Sequence, residues 1–136
     1  MSLDKPLNIF DISGRAMSAQ LVRLNATASN LANAGSVSGS EGQAYRAIRP
    51  VFSTVVEKPG VATVKVDRVV SSDTPATKRH DPGHPLADAN GDVWEAGVDS
   101  SAELVEMIES ARQYQNNVQV LQTAKSLILD TIRLGK

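Results

Sequence analysis

The chain has 136 residues, a formal net charge of −1, 41% hydrophobic and 4% aromatic residues, and no cysteine. This length fits one ordinary domain, and the hydrophobic content is too high for an intrinsically disordered chain. The balanced charge argues against nucleic-acid binding and a polybasic membrane surface, and the absence of cysteine excludes disulfides, thiolate metal sites and a cysteine nucleophile.

The first residues of the chain show no targeting signal. Asp4, Pro6 and Asp11 interrupt every apolar run near the N-terminus. No stretch approaches the roughly 18 apolar residues that a membrane-spanning helix needs. These signals alone favour a cytoplasmic protein with no direct membrane insertion.

An amphipathic helix is predicted in an N-terminal arm of residues 1–35. From Arg15 to Ala34 the sequence contains neither glycine nor proline. Apolar residues recur there at spacings of four and three, the pattern of one helical face. They are Met17, Leu21, Leu24, Ala28 and Leu31.

Residues 36–97 are predicted to form a small β-rich domain with loops. We expect a flexible loop at 36–43 and a strand in which Ile48, Phe52 and Val56 share a face. Pro50 predicts that this strand lies at a sheet edge, because proline has no backbone N–H to donate to a neighbouring strand. A type II turn at Pro59-Gly60 then leads into a second strand with alternating Val64 and Val66.

The remainder of this middle region, residues 71–92, is expected to be mostly loop. Asn90-Gly91 predicts a hairpin turn before Val93 and Trp94. The only two histidines, His80 and His84, are four residues apart, but Pro82, Gly83 and Pro85 exclude a helix that would bring them together. We find no nucleophile elbow and no phosphate-binding loop, so neither an enzyme nor a cofactor or metal site is predicted.

A long C-terminal helix is predicted in an arm of residues 98–136. Ser100 and Glu103 match a capping box, and Gly135 with Arg133 matches a helix end. Apolar residues again repeat at spacings of four and three, with Leu127 in a second stripe that widens the far end. The predicted contact residues are Met107, Ala111, Tyr114, Val118, Leu121, Leu127, Ile128 and Ile132.

Together these patterns predict an α+β fold, in which two long terminal helices pair as a coiled coil beside the β-rich middle. Ion pairing along the second helix is thin, because Glu103, Glu106 and Glu109 have no basic residue four positions later. Amide side chains surround its apolar stripe instead. We therefore expect the arms to pair and the remaining surface of the pair to contact neighbouring molecules, although an ordinary solvated face explains the amides equally well.

Several segments resemble the flagellar axial proteins, the family of rod and hook subunits. NATASNLANA at residues 25–34 is similar to the N-terminal signature of that family. NIFDISGRAMSAQ, GQAYRA, PGHPLADANGDVW and NVQVLQTAKSLILDTIRLG narrow the resemblance to subunits of the proximal rod. The match covers most of the chain in order and is loose over residues 46–80.

The resemblance implies a structural protein without catalytic activity. It implies an inner coiled-coil domain, an outer β-rich domain, and helical stacking with other rod proteins and with copies of the same chain. It further implies passage through the flagellar export apparatus without a cleaved signal peptide. The expected location thereby changes from the cytoplasm to the periplasmic rod of the basal body.

On this basis we expect folding of the arms to be coupled to assembly. Asn30 and Asn33 would cap the end of the first helix and bond to adjacent backbone groups, since asparagine tolerates such geometry. The alternative is that both are ordinary residues of a loop entry. The competing function is a soluble adaptor or binding module with a regulatory coiled coil.

Overall fold

The computed structural model describes residues 4–135 and contains two long helices and five strands. In chain order these are α1 (Asp4–Asn33), β1 (Val37–Ser38), a 3₁₀ turn (Glu41–Gln43), β2 (Ile48–Lys58), β3 (Val61–Ser71), β4 (Thr77–His80), β5 (Asp92–Glu95) and α2 (Ser100–Leu134). The predicted α+β class is confirmed. Residues 1–3 and 136, which belong to the predicted arms, lie outside the described part of the chain.

The two helices lie antiparallel. Gln20, Arg23 and Asn30 of α1 hydrogen-bond to Gln113, Glu106 and Glu103 of α2, respectively, so residue numbers rise along one helix as they fall along the other. At about 1.5 Å per residue, α1 is roughly 45 Å long and α2 roughly 52 Å. In this register the last turn of α2 extends past the start of α1.

β2 and β3 form a two-stranded antiparallel hairpin that lies along α1. Its register runs from Ile48 opposite Ser71 to Lys58 opposite Val61, with an irregularity between Val51 and Phe52. Gly60 has φ +82°, as the predicted type II turn requires. Arg15 of α1 forms an ion pair with Glu57 and donates to the Thr63 hydroxyl, which ties the hairpin to the helix.

The remaining strands form a second sheet, in the order β1-β5-β4. The flexible loop expected at residues 36–43 was wrong, since this segment contains β1 and a 3₁₀ turn, whereas residues 71–92 are mostly loop as expected, with β4 as their one short internal strand. Neither β1 nor β4 has an apolar alternation in its sequence, and backbone pairing with β5 holds both strands in place. The predicted turn is confirmed: Gly91 has φ +77°, and Asp88 Oδ1 accepts from the Asn90 and Asp92 amides.

The start of α2 differs from the predicted capping box. Asp99 is the N-cap, and its Oδ1 accepts from the backbone amides of Ser101 and Ala102 at 3.0 and 3.2 Å. Glu103 does not turn back to the cap because its carboxylate is bound by Arg49. The predicted C-terminus is confirmed, as the Gly135 amide donates to the Thr131 carbonyl and Arg133 lies in the last turn.

The buried apolar core is made of small side chains. Among the described residues, Val93 is the only buried apolar residue larger than alanine. Many large apolar residues are exposed instead, eight of them on α2. Among the described residues, the large apolar side chains are therefore half-buried or exposed, with Val93 as the exception.

Candidate assembly surface

The predicted stripe on α1 lies beside the contact with α2. Leu21 is 45% exposed and Ala28 is also exposed, whereas Met17, Leu24 and Leu31 are half-buried. Among the described residues, those of α1 that hydrogen-bond to α2 are Gln20, Arg23 and Asn30, each one position before a stripe residue. Since successive residues of a helix are about 100° apart, the stripe borders the contact.

The predicted stripe on α2 lies beside the contact with α1. Met107, Ala111, Tyr114, Val118, Leu121 and Ile128 are half-buried, whereas Leu127 and Ile132 are 62% and 55% exposed. The residue at the centre of the helix contact is Ser110, which is fully buried and directly precedes Ala111. The stripe on α2 therefore also borders the contact.

The two stripes lie on the same side of the helix pair. The opposite side of α1 carries Ser18, Ala19 and Val22, which face the hairpin. On α2, Glu106 lies on the hairpin side, beside Phe52. Met107 is about 100° further round the helix, which places it on the side away from the hairpin. We call the combined surface the stripe face, formed by Met17, Leu21, Leu24, Ala28, Leu31, Met107, Ala111, Tyr114, Val118 and Leu121.

Asn30 lies inside the molecule, at the junction of α1, α2 and the hairpin. Its side chain is completely buried. Its Nδ2 donates to the Ile48 carbonyl at 3.0 Å and to Glu103 Oε2 at 3.1 Å. Its Oδ1 accepts from the Ile48 amide and from the Tyr45 hydroxyl. In the single chain, Asn30 thus bonds to the Ile48 backbone, and its contact with neighbouring subunits stays a prediction.

Asn33 has a more local role. Its Nδ2 donates to the Ser29 carbonyl at 2.8 Å, four residues earlier, and its own carbonyl accepts from the Ser36 amide and hydroxyl. The side chain is half-buried. Of the asparagines in NATASNLANA, Asn30 therefore connects three elements, Asn33 closes the helix end, and Asn25 is exposed.

Two acidic residues of α2 are paired with other elements of the fold. Glu103, with a side chain 1% exposed, is bound by both terminal nitrogens of Arg49 as well as by Asn30. Glu106 pairs with Arg23 of α1. Neither partner lies on α2, and Arg49 is 54 residues from Glu103 in the sequence, so the spacing of charges along α2 does not reveal these pairs.

The contact between the helices is polar. Gln113 Oε1 accepts from Gln20 Nε2 at 2.8 Å, and Thr27 is almost completely buried nearby. Gln20 Oε1 and Ser110 Oγ are buried without a hydrogen-bond partner among the described residues. Unpaired buried polar atoms lower stability, so this contact is a weak source of binding energy within one chain.

The histidines belong to the smaller sheet and its turn. His80 Nδ1 lies 2.9 Å from Asp92 Oδ1, and Lys78 Nζ lies 2.5 Å from Asp92 Oδ2. The hydrogen bonds from Lys78 and His80 lower the pKa of the Asp92 carboxyl, and the Asp92 bond raises the pKa of Lys78. Within residues 4–135, no group of three potential ligands could hold a metal ion.

Across the described residues, neither helix has a stretch that is both long and apolar enough to cross a bilayer.

Comparison with known proteins gives matches over nearly the whole chain. A family model described as flagella basal body rod protein matches residues 10–39, and one described as flagellar basal body rod FlgEFG protein C-terminal matches residues 89–134. The chain is 52% identical to the flagellar basal-body rod protein FlgC of Salmonella typhimurium and 50% identical to that of Yersinia enterocolitica. Each alignment covers 96% of this chain and 98% of the relative.

Proposed function

We propose, from the premise that this chain belongs to the FlgC family of flagellar basal-body rod proteins, that its stripe face is the surface through which it assembles in the rod. As a member, the chain is a structural subunit of the basal body and not an enzyme. The resemblance found in the sequence to rod subunits is thereby confirmed. Our proposal concerns the surface with which the subunit contacts its neighbours.

The observation that carries the proposal is the distribution of apolar side chains. The buried apolar residues are alanines and one valine, while on the stripe face Leu21 is exposed and the other large apolar residues are only half-buried. Burying apolar surface contributes about 25 cal/mol per Å². The apolar surface that stays exposed is therefore available to contacts between chains, and such contacts suit a stiff rod because closely packed interiors resist deformation.

We further propose that α1 and α2 act as a coiled coil, with residues 1–35 and 98–136 as one helical unit and residues 36–97 as a β-rich unit. Support comes from the spacing alone: polar and small side chains near the contact recur every seven residues, which is the period of a heptad. On α1 they are Ser13, Gln20 and Thr27, and on α2 they are Glu103, Ser110, Asn117 and Ala124. Neighbouring subunits would bury the apolar residues that border this polar contact between α1 and α2.

The proposed partners are other rod proteins and further copies of this chain, which stack helically and transmit torque from the motor to the hook. We place the subunit in the periplasmic part of the basal body. We propose that it arrives through the flagellar export apparatus without a cleaved signal peptide. The narrow, cysteine-free chain is consistent with that route.

Folding of the arms is proposed to be completed by assembly. The hydrogen bond between Asn30 and Glu103 already holds the end of α1 against the start of α2 within one chain. Folding that is coupled to assembly therefore concerns the other end of the helix pair. There Leu127, Leu129, Ile132 and Leu134 are exposed. We therefore expect order to decrease from the junction towards the free end in the isolated subunit and to become uniform in the rod.

Purified basal bodies provide the test. In a strain whose own copy of this gene is deleted, the wild-type chain, a Leu21→Glu variant and an Asn116→Glu control are expressed at equal levels. Both substitutions add one charge to an exposed helical position, and Asn116 lies on the side of α2 away from its stripe, about 200° round the helix from Tyr114. We expect mass spectrometry to find the wild type and Asn116→Glu at a fixed ratio to other rod proteins, and Leu21→Glu strongly reduced. Normal incorporation of Leu21→Glu would contradict the proposed surface.

A further inference from the structure

The smaller sheet is attached to the rest of the subunit through a narrow neck. Among the described residues, β1, β4 and β5 pack mainly on one another, and none of these strands packs extensively on α1, α2 or the hairpin. The chain passes between the two parts four times, at residues 34–36, 44–47, 72–76 and 96–99. These four connections, which we call the neck, therefore determine how the smaller sheet is oriented relative to the helix pair.

Backbone hydrogen bonds and small side chains make up the neck. The Gly97 amide donates to the Tyr45 carbonyl at 3.1 Å. The Ala96 amide donates in the same way to the Ser36 carbonyl at 3.0 Å. The buried apolar side chains of the neck are all alanines, namely Ala44, Ala47, Ala76 and Ala96. The four connections are therefore joined to one another through their main chains.

Gly97 lies where two of these connections cross. Residues 72–76, which we call the strap, pass directly over it. A Cβ atom at position 97 would lie 2.7 Å from the Thr74 carbonyl oxygen and 2.8 Å from the Pro75 carbonyl oxygen. Both distances are below the 3.0 Å at which a Cβ atom can approach another heavy atom, and both oxygens belong to the backbone. Glycine is therefore the residue that fits at this crossing.

The strap is fixed at both ends and in its middle. The Ser72 amide donates to the Ala47 carbonyl at 2.6 Å, and Ala76 at the other end is buried. Between them the Thr74 amide donates to the Ser72 hydroxyl at 3.2 Å, and the ring of Pro75 fixes its φ angle. A side chain at position 97 would therefore displace the strap only by breaking contacts of the neck.

We propose that Gly97 is a positioning residue, which fixes the direction in which the smaller sheet projects from the helix pair. β4 begins two residues after Pro75, and Asp99, the N-cap of α2, follows Gly97 by two residues. A displacement at the crossing therefore changes the direction of the sheet relative to α2. Copies that stack helically repeat the same contacts only if they have the same shape, so each subunit needs this direction to be fixed. The proposal rests on the assembly function above and adds a residue outside the stripe face.

Distances between pairs of spin labels measure this direction, and the absence of native cysteine makes the labelling specific. The neck pair, Thr77→Cys with Gln115→Cys, joins the smaller sheet to α2, whereas the reference pair, Ala62→Cys with Gln115→Cys, joins the hairpin to α2. All three positions are exposed. Each pair is combined with Gly97→Ala or with the control Gly42→Ala, where a Cβ atom has no neighbour within 4 Å.

We expect Gly97→Ala to shift or broaden the distance distribution of the neck pair and to leave that of the reference pair unchanged. Gly42→Ala should change neither distribution. An unchanged neck pair in Gly97→Ala would overturn the proposal. If Gly97→Ala alters both pairs, the variant has lost more than the neck, and a chain with two glycines inserted between Asp73 and Thr74 decides. That insertion should broaden the neck pair alone, and an unchanged neck pair would again overturn the proposal.

Incorporation of the unlabelled chains into basal bodies separates this inference from the function on which it rests. Mass spectrometry should find Gly42→Ala at the wild-type ratio to other rod proteins and Gly97→Ala strongly reduced. Normal incorporation of Gly97→Ala despite a shifted neck pair would overturn the need for a fixed direction, while the rod function stands. Absence of the wild-type chain itself would overturn the proposed assembly, whereas the spin-label distances in the free subunit would still decide the positioning role of Gly97.

Discussion

The side chains of Asn30 and Glu103 meet at 3.1 Å inside the molecule, although 73 residues separate them in the sequence. This hydrogen bond joins the end of α1 to the start of α2, and Arg49 and Ile48 join the hairpin to the same point. One buried amide thereby sets the relative position of three elements. The surfaces that each element presents to neighbours depend on this junction.

Replacing Asn30 with leucine is expected to destabilise the isolated chain severely. The Ile48 backbone and the Tyr45 hydroxyl would lose their partner, and Glu103 would lose a charge-assisted bond. We expect a loss of about 3–5 kcal/mol in the free energy of unfolding, since each unpaired buried group costs 1–3 kcal/mol. Urea unfolding measures the loss. Exposed Asn25→Leu is the control, and an equal effect there would rule out a special role for Asn30.

The two ion pairs of α2 should differ in strength. Arg49→Met leaves Glu103 charged and buried, which should cost about 3 kcal/mol. Arg23→Met leaves Glu106, whose side chain is 28% exposed, free to bind water, and should cost less than about 1 kcal/mol. Denaturant midpoints of the two variants give the comparison. Similar losses would show that the burial of Glu103 does not determine its contribution.

Asn33→Leu should impair assembly more than stability. The Asn33 side chain makes one local bond to the Ser29 carbonyl, so we expect its loss to cost about 1 kcal/mol of unfolding free energy. Incorporation into basal bodies should fall much further if the helix end must match a neighbour. Thermal melting and mass spectrometry of basal bodies provide the two values. Parallel losses would support the simpler view of Asn33 as a loop-entry residue.

The stability of the fold should depend on pH through Asp92. Lys78 and His80 lower the pKa of Asp92 in the folded chain, so this group stabilises the fold above its unfolded pKa of about 4. The stabilisation is lost as pH falls through the lowered folded value. Lys78→Met should move the Asp92 titration, followed by NMR, to higher pH. Lys65→Met, an exposed lysine of β3, should leave it unchanged.

Features that depend on local chemistry could be predicted from the sequence. Gly60 and Gly91 adopt the positive φ that their turns require, and Gly135 ends α2 where the apolar pattern stops. Asp99 was missed as the cap because Ser100 and Glu103 offered a stronger local pattern. Nothing in the local sequence shows that Glu103 is held instead by a distant arginine.

The candidate assembly surface could also be predicted only in part. Helical spacing identified the residues of both stripes, because it depends only on helix geometry. It did not distinguish the contact between the helices from its flanks, since the contact itself is made by polar residues such as Gln20 and Ser110. Likewise, β4 has no apolar alternation, and only its pairing with β5 defines it as a strand.

The most direct test of the account compares one position in the free subunit and in the rod. A Leu21→Cys chain is treated with a maleimide reagent as purified protein and in isolated basal bodies. Ala26→Cys, at a buried position of α1, gives the background level. We predict that the cysteine at position 21 is labelled in the free subunit and protected to the background level in basal bodies. Equal labelling of that cysteine in both states would show that the stripe face remains exposed in the rod, and would contradict its role in assembly.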